Sequence, residues 1–161
     1  MKFFNSKKNS LFFILFLFIF SCNYKPLFDE NQLGRISFTN IEVNGDRRTA
    51  QILINKLNII RDEKGSFSLS VKAEKNVNVS NKSASAKVLE YSISLNYMVE
   101  VKNTVNGEII YSKNIQNTEN YKPSSNYSDT INNEKKIIEN LSSLIAKQII
   151  NELSLIVRND T

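Results

Sequence analysis

From Ser66 to Lys102 the sequence alternates between apolar and polar residues. Phe67, Leu69, Val71, Ala73, Val77 and Val79 take odd positions, with Ser66, Ser68, Ser70, Lys72, Glu74, Asn76 and Asn78 between them. Leu89, Tyr91, Ile93, Leu95, Tyr97, Val99 and Val101 repeat the pattern against Glu90, Ser92, Ser94, Asn96, Glu100 and Lys102. Successive strand side chains point to opposite faces, so this period of two predicts two long strands with one buried and one wet face. The polar run Asn81 to Ala86 is the turn between them. Asn106-Gly107 predicts a type I′ hairpin turn. Ile109, Tyr111 and Ile115 then form a further strand, followed by a polar loop from Asn114 to Asn126.

Upstream, Ile36, Phe38, Ile41 and Val43 predict a first strand. Its parity slips between Phe38 and Ile41, as a bulge near Thr39 or Asn40 would make it. Asp46 is a good helix N-cap. Ala50, Leu53, Leu57 and Ile60 follow at helical spacing, predicting an amphipathic helix of about four turns that ends before Lys64-Gly65. At the far end Asp129 is placed to cap a long helix reaching Val157, with Ile131, Ile138, Leu141, Ile145, Ile149 and Ile156 as its apolar stripe. Glu134 near its start and Arg158 near its end suit the helix dipole.

The predicted order is β-α-β-β-β-α. A right-handed crossover places the first two strands parallel, and hairpins make the rest antiparallel. The fold class that results is α+β, a two-layer sandwich in which two helices cover one face of a four-stranded mixed sheet. The other sheet face is rich in Ser and Asn. Asn is abundant along the whole chain, so this face also fits a general compositional bias.

The segment before the first strand adds a location. Lys2, Lys7 and Lys8 precede the uninterrupted apolar run Leu11 to Phe20. Ten apolar residues fall short of the ~20 that span a bilayer and match the core of a secretory signal peptide. Residues 1–21 therefore read as a leader, 22–34 as a tether punctuated by Pro26 and Gly34, and 35–161 as the domain. The leader holds 7 of the 10 Phe, 3 of the 21 basic residues and none of the 16 acidic ones. Without it 18 basic and 16 acidic residues remain, a formal charge of +2. So small an excess gives no basis for a nucleic-acid partner.

The chain has no His and one Cys. A His acid–base pair, a Cys–His dyad, a His/Cys metal cluster and an intrachain disulfide are all excluded. Glu90 and Glu100 lie ten residues apart on one strand, ~34 Å, too far to act together. No phosphate loop or calcium loop is present. The expectation is a protein without catalysis, metal or cofactor.

Ile19, Ser21 and Cys22 at the end of the apolar run resemble the lipobox of bacterial lipoproteins, although Phe20 stands where a small residue is usual. An uncleaved signal anchor is the other reading of this run. The resemblance implies that the Cys22 thiol carries diacylglycerol, with cleavage just before it and acylation of the new amino terminus. Three acyl chains at ~0.8 kcal/mol per buried CH₂ would hold the protein at a membrane. Asn23, rather than Asp, after the Cys favours the outer membrane over the inner.

Cys22-Asn23-Tyr24-Lys25-Pro26-Leu27-Phe28 is similar to the lipidated start of the lipopolysaccharide (LPS)-assembly lipoprotein LptE family. Ile41-Glu42-Val43 followed by Arg48, Gln51, Leu53 and Leu57 resembles that family's strand-then-helix segment. Leu89-Glu90-Tyr91, and Tyr127 with Asn133-Glu134 before a long last helix, extend the likeness. Asn23 and Ala50 stand where the family often has Gly, and Lys87 where Arg is common. The resemblance implies a non-enzymatic plug inside an outer-membrane β-barrel, LptD-like, that helps assemble the barrel and deliver lipopolysaccharide to the outer leaflet. It also implies basic residues that meet lipopolysaccharide phosphates, and Lys82, Lys87 and Lys122 are the nearest candidates here. The other reading is a periplasm-facing lipoprotein that binds a lipid or small ligand, which would call for a deep apolar cavity.

Overall fold

A computed structural model describes residues 37–159 of the chain, with side chains to residue 156. The leader, the tether, Cys22, Ile36 and Arg158 as a side chain lie outside the described residues. The elements run β1 (Ser37–Gly45), α1 (Arg47–Leu57), β2 (Ile60–Arg61), β3 (Phe67–Lys82), β4 (Val88–Asn103), β5 (Ile109–Tyr121) and α2 (Tyr127–Asn159). They form one mixed sheet in the order β2-β1-β3-β4-β5 with two helices. The α+β class is as the sequence predicts. The sheet has five strands rather than four.

The fifth strand arises from an early helix end. Asn58 takes the left-handed conformation at φ 50° and caps α1 after 11 residues, a conformation Asn tolerates better than most residues. The chain then turns back, and Ile60 and Arg61 pair in parallel with Ser37 and Phe38. The predicted four-turn helix is thus three turns long. Ile60, expected in its buried stripe, lies on the sheet edge at 48% exposure.

β1 pairs in parallel with β3, with a register shift between Phe38 and Asn40 where the parity slips. Its last residue, Gly45, sits at φ +74°, and a Cβ there would lie 2.2 Å from the Ala73 carbonyl oxygen. Only glycine fits a corner so close to its neighbour. Asp46 then donates its backbone N–H to that same oxygen at 2.8 Å. Its side chain accepts from the Thr49 N–H at 2.9 Å, which starts α1.

β3, β4 and β5 form an antiparallel meander. β5 runs on to Tyr121, so most of the predicted polar loop 114–126 is strand. Hydrophobic alternation fades there because one face is open to solvent. On the other face Asn117 and Glu119 take the places of apolar residues. The backbone ladder continues regardless, with Asn117 opposite Leu95 and Tyr121 opposite Tyr91. The rings of that last pair stack at 5.4 Å. The β4–β5 turn also differs from expectation. Asn106 does not adopt the positive φ that a type I′ turn requires, and only Gly107, at φ 74°, does so. The connection is a four-residue loop, closed by the Gly107 N–H on the Asn103 carbonyl at 2.9 Å.

α2 begins two residues before Asp129. Asn126 accepts the Ser128 N–H on its side chain at 3.0 Å and the Thr130 N–H on its carbonyl. The expected cap, Asp129, instead lies in the first turn, where its charge still suits the dipole. At 33 residues the helix is ~50 Å long. Ile138, Leu141, Ile145 and Ile149 are buried, as are Ile137, Ala146 and Leu153. They meet Leu69, Val71, Ala73, Ile93, Leu95, Tyr97, Val99 and Val101 on one sheet face, with Ala50, Leu53 and Leu57 of α1 alongside. Tyr97 shows that both helices share this face. Its hydroxyl lies 2.7 Å from the Ser142 Oγ on α2 and donates to the Thr49 carbonyl on α1 at 3.2 Å.

Candidate functional site

Two surfaces carry the features the sequence singles out. The first is the open sheet face, built by the even positions of β3, β4 and β5. In register across it lie Glu74, Asn96 and Gln116; Asn76, Ser94 and Thr118; and Asn78, Ser92 and Asn120. Ser94 Oγ accepts from Gln116 at 3.0 Å and from Thr118 at 3.1 Å. Lys72–Glu74 and Lys102–Glu100 pair along their own strands at 3.0 and 3.7 Å. Met98 is the exposed apolar exception. The Asn96 amide oxygen is buried and has no hydrogen-bond partner among the described residues. Such an acceptor is costly unless something donates to it.

The second surface is the far end of the β3–β4 hairpin. Lys82 pairs with Val88, and Ser83 donates its N–H to the Lys87 carbonyl at 2.8 Å, so Lys82 and Lys87 flank one turn. Ala86 holds a left-handed φ of 62° in that turn. Lys122 follows Tyr121, whose partner on β4 is Tyr91. The structure therefore brings all three lysines to one end of the sheet. Among the described residues none of them forms an ion pair, and Glu90 nearby accepts from Ser80 at 3.2 Å. On the helix side of this end the strands outrun the helices. Val77, Val79 and Leu89 are left about 40% exposed, at 39, 42 and 42%. Aliphatic and aromatic groups beside free ammonium groups make an amphiphilic surface. The apolar half of this surface was present in the alternation but reads as core, because the sequence does not show where helical cover stops.

Buried polar groups elsewhere hold the sandwich together. Glu152 of α2 accepts from Tyr111 at 2.8 Å, from Gln148 at 3.0 Å and from Lys113. Burial opposes its ionisation, but these donors outweigh it and hold the carboxyl below its usual range. Burial raises the Tyr97 hydroxyl to about 12, and burial with the Glu134 carboxylate raises Tyr121 to about 12. Glu134 also pairs with Lys75 at 3.1 Å. These groups pin α2 to the sheet and none is arranged around a reacting centre. Sequence reading passed over them because Tyr97, Tyr111 and Ser142 sit at core positions and read as apolar filler.

Between α1, β3 and α2 lies a cleft of about 180 Å³ lined by Asp46, Arg48, Ile52, Lys75, Glu134 and Ile138 among others. It is smaller than the ~300–1,000 Å³ of common ligand pockets and mixes both charges. Among the described residues no cluster of metal-ligating groups occurs, and no helix is long and apolar enough to cross a membrane.

No family model matches the chain, and no curated relative does. Solved structures do. A candidate lipoprotein of Caulobacter crescentus superposes with a TM-score of 0.60 at 13% identity, over 82% of this chain and 96% of that one. The rare lipoprotein B of Shewanella oneidensis gives 0.56 at 10% identity, over 74% and 97%. The uncharacterized lipoprotein B of Nitrosomonas europaea gives 0.55 at 12% identity, over 76% and 86%. At such identities the likeness shows a shared fold.

Proposed function

We infer that the chain is a lipoprotein anchored through Cys22 on the periplasmic side of the outer membrane, where it plugs and helps assemble an LptD-like β-barrel. In this reading it also assists delivery of lipopolysaccharide to the outer leaflet, without catalysis. The observation that carries it is the open sheet face, polar from edge to edge apart from Met98. The lumen of a large barrel is polar, so a plug needs a rigid polar exterior around a dry core. The unpartnered Asn96 oxygen on that face suits a donor from the barrel wall. The lipobox-like Cys22 and the fold shared with chains named as lipoproteins support the anchor. The lysines at the far hairpin end, beside Val77, Val79 and Leu89, suit the phosphates and acyl chains of lipopolysaccharide.

Depletion in the native host tests the reading. Assembled barrel is expected to fall, lipopolysaccharide to accumulate inside the cell, and crosslinking to capture a large β-barrel. Charge reversal of Lys82 and Lys87 together is expected to weaken lipopolysaccharide binding in a salt-dependent way without unfolding the domain. Normal barrel levels with normal export would sink the assignment. The small mixed-charge cleft gives the alternative, a small-ligand lipoprotein, no support.

A further inference from the structure

The end of the sheet opposite the lysines has its own apolar residues. Phe38 of β1 pairs with Phe67 of β3, which pairs with Asn103 at the end of β4. The start of β1 and the β4–β5 turn therefore share one end. Val105 stands at that turn with 85% of its surface exposed, Ile109 follows at 50%, and Ile60 on the same end is 48% exposed. Turn apices favour Gly, Asn, Asp and Ser, so an exposed Val there is out of pattern.

The turn is unusual in a second respect, because its backbone donors are satisfied from within. Val105 donates to the Asn103 side chain at 2.8 Å and Glu108 to the Asn106 side chain at 3.0 Å. Gly107 donates to the Asn103 carbonyl, Asn103 to the Glu108 carbonyl, and Thr104 to the Ser66 carbonyl, at 2.8–2.9 Å. Even the Glu108 carboxylate accepts from the Asn106 amide at 3.1 Å. Unsatisfied backbone groups are what keep loops out of lipid, and this loop presents few of them.

The chain outside the described residues selects the occupant. Fourteen residues, 23–36, separate Cys22 from Ser37. As a flexible coil that span covers ~20 Å. The far hairpin tip is ~50 Å away along the 16 residues of β3. A lipid at Cys22 thus holds the Val105 end against the bilayer and keeps the lysine end away from it. The charges around it are mixed, with Arg61, Lys64 and Lys102 against Asp62, Glu63 and Glu108, so the surface is not suited to a strongly anionic layer.

We propose that the β4–β5 turn, led by Val105 with Ile109 and Ile60, dips into the zwitterionic head-group layer of the anchoring membrane and sets the domain upright on it. The proposal rests on the lipid anchor inferred above. The chain has no Trp, so a single introduced Trp reports its own depth. The lipidated chain carrying Val105→Trp, or Val79→Trp at the opposite end, is reconstituted in phosphatidylcholine vesicles with brominated acyl chains. Both sites are solvent-exposed, so neither change disturbs the core. The expected result is a blue shift and roughly twofold quenching for Val105→Trp, and neither for Val79→Trp, as an apolar group seated at the head-group boundary requires. Equal quenching of the two, or an unquenched Val105→Trp in a chain that floats with the vesicles, overturns the proposal and leaves the anchor standing. A blue shift without bromine quenching means that a second copy covers the turn, and also overturns it. A chain that does not float refutes the anchor, and the proposal falls with it.

Discussion

The Tyr97 hydroxyl is the polar centre of an otherwise apolar layer. It is fully buried and joins Ser142 of α2 to the Thr49 carbonyl of α1. Removing it leaves the Ser142 hydroxyl buried without that partner. Tyr97→Phe is therefore expected to cost about 1–3 kcal/mol in urea unfolding. Ser142→Ala in the same background should restore part of the loss, because both polar partners are then gone. A cost below ~0.3 kcal/mol would mean that the hydroxyl finds water instead. Individual residues were unevenly legible in the sequence. Alternation assigned Tyr97 to the core but said nothing of its partner, which lies 45 positions along the chain. Lys82 and Lys87 could be placed at a turn from local sequence. Their convergence with Lys122 needed the unpredicted length of β5.

At the scale of elements, α1 depends on its cap. The Asp46 carboxylate accepts from the Thr49 N–H, and that bond holds its carboxyl below the usual range against the opposing effect of burial. The stability it lends is present above the unfolded Asp value, ~3.9, and is lost as pH falls through the lowered folded value. Asp46→Ala should cost about 1 kcal/mol at neutral pH. The deficit relative to wild type should shrink on acidification, as read by thermal melts across pH 2–7. A deficit that stays constant with pH would show that the charge plays no part. The stripe of α2 is a firmer prediction. Leu141→Ala or Ile145→Ala should each cost about 2–5 kcal/mol, because both side chains are buried against the sheet. A loss under ~0.5 kcal/mol would require a different packing of the helix. The long strands and α2 were legible because their periodicity runs for many residues. The end of α1 was not, since Ile60 continues the helical spacing and a single left-handed Asn58 overrides it. The polar half of β5 escaped because its stability comes from backbone pairing rather than from an apolar face.

The whole molecule is polarised along the strands. One end carries the start of β1 and the Val105 turn, and the other carries the lysines and uncovered valines. Cys22→Ser in the native host should leave a precursor of leader-bearing size, or a form that no longer fractionates with the outer membrane. Normal mature size and normal fractionation would refute the lipid anchor. The two-layer architecture was readable from the order of patterns, because each amphipathic element has only one face to bury. The functional surfaces were less so. A wet face looks the same in sequence whether it meets solvent or a barrel wall.

The parallel pairing of β1 with β3 has a mechanical consequence. β1 enters the sheet at the end nearest Cys22 and runs away from it. Tension drawn from that side, while the opposite end of the domain is gripped, acts along the strand axis. The hydrogen bonds from Phe38 to Gly45 then bear the load together in shear. Had β1 entered from the other end, the same pull would have bent it back on itself and opened those bonds one at a time. The topology makes the strand nearest the leash a clamp against tugging, not a zip.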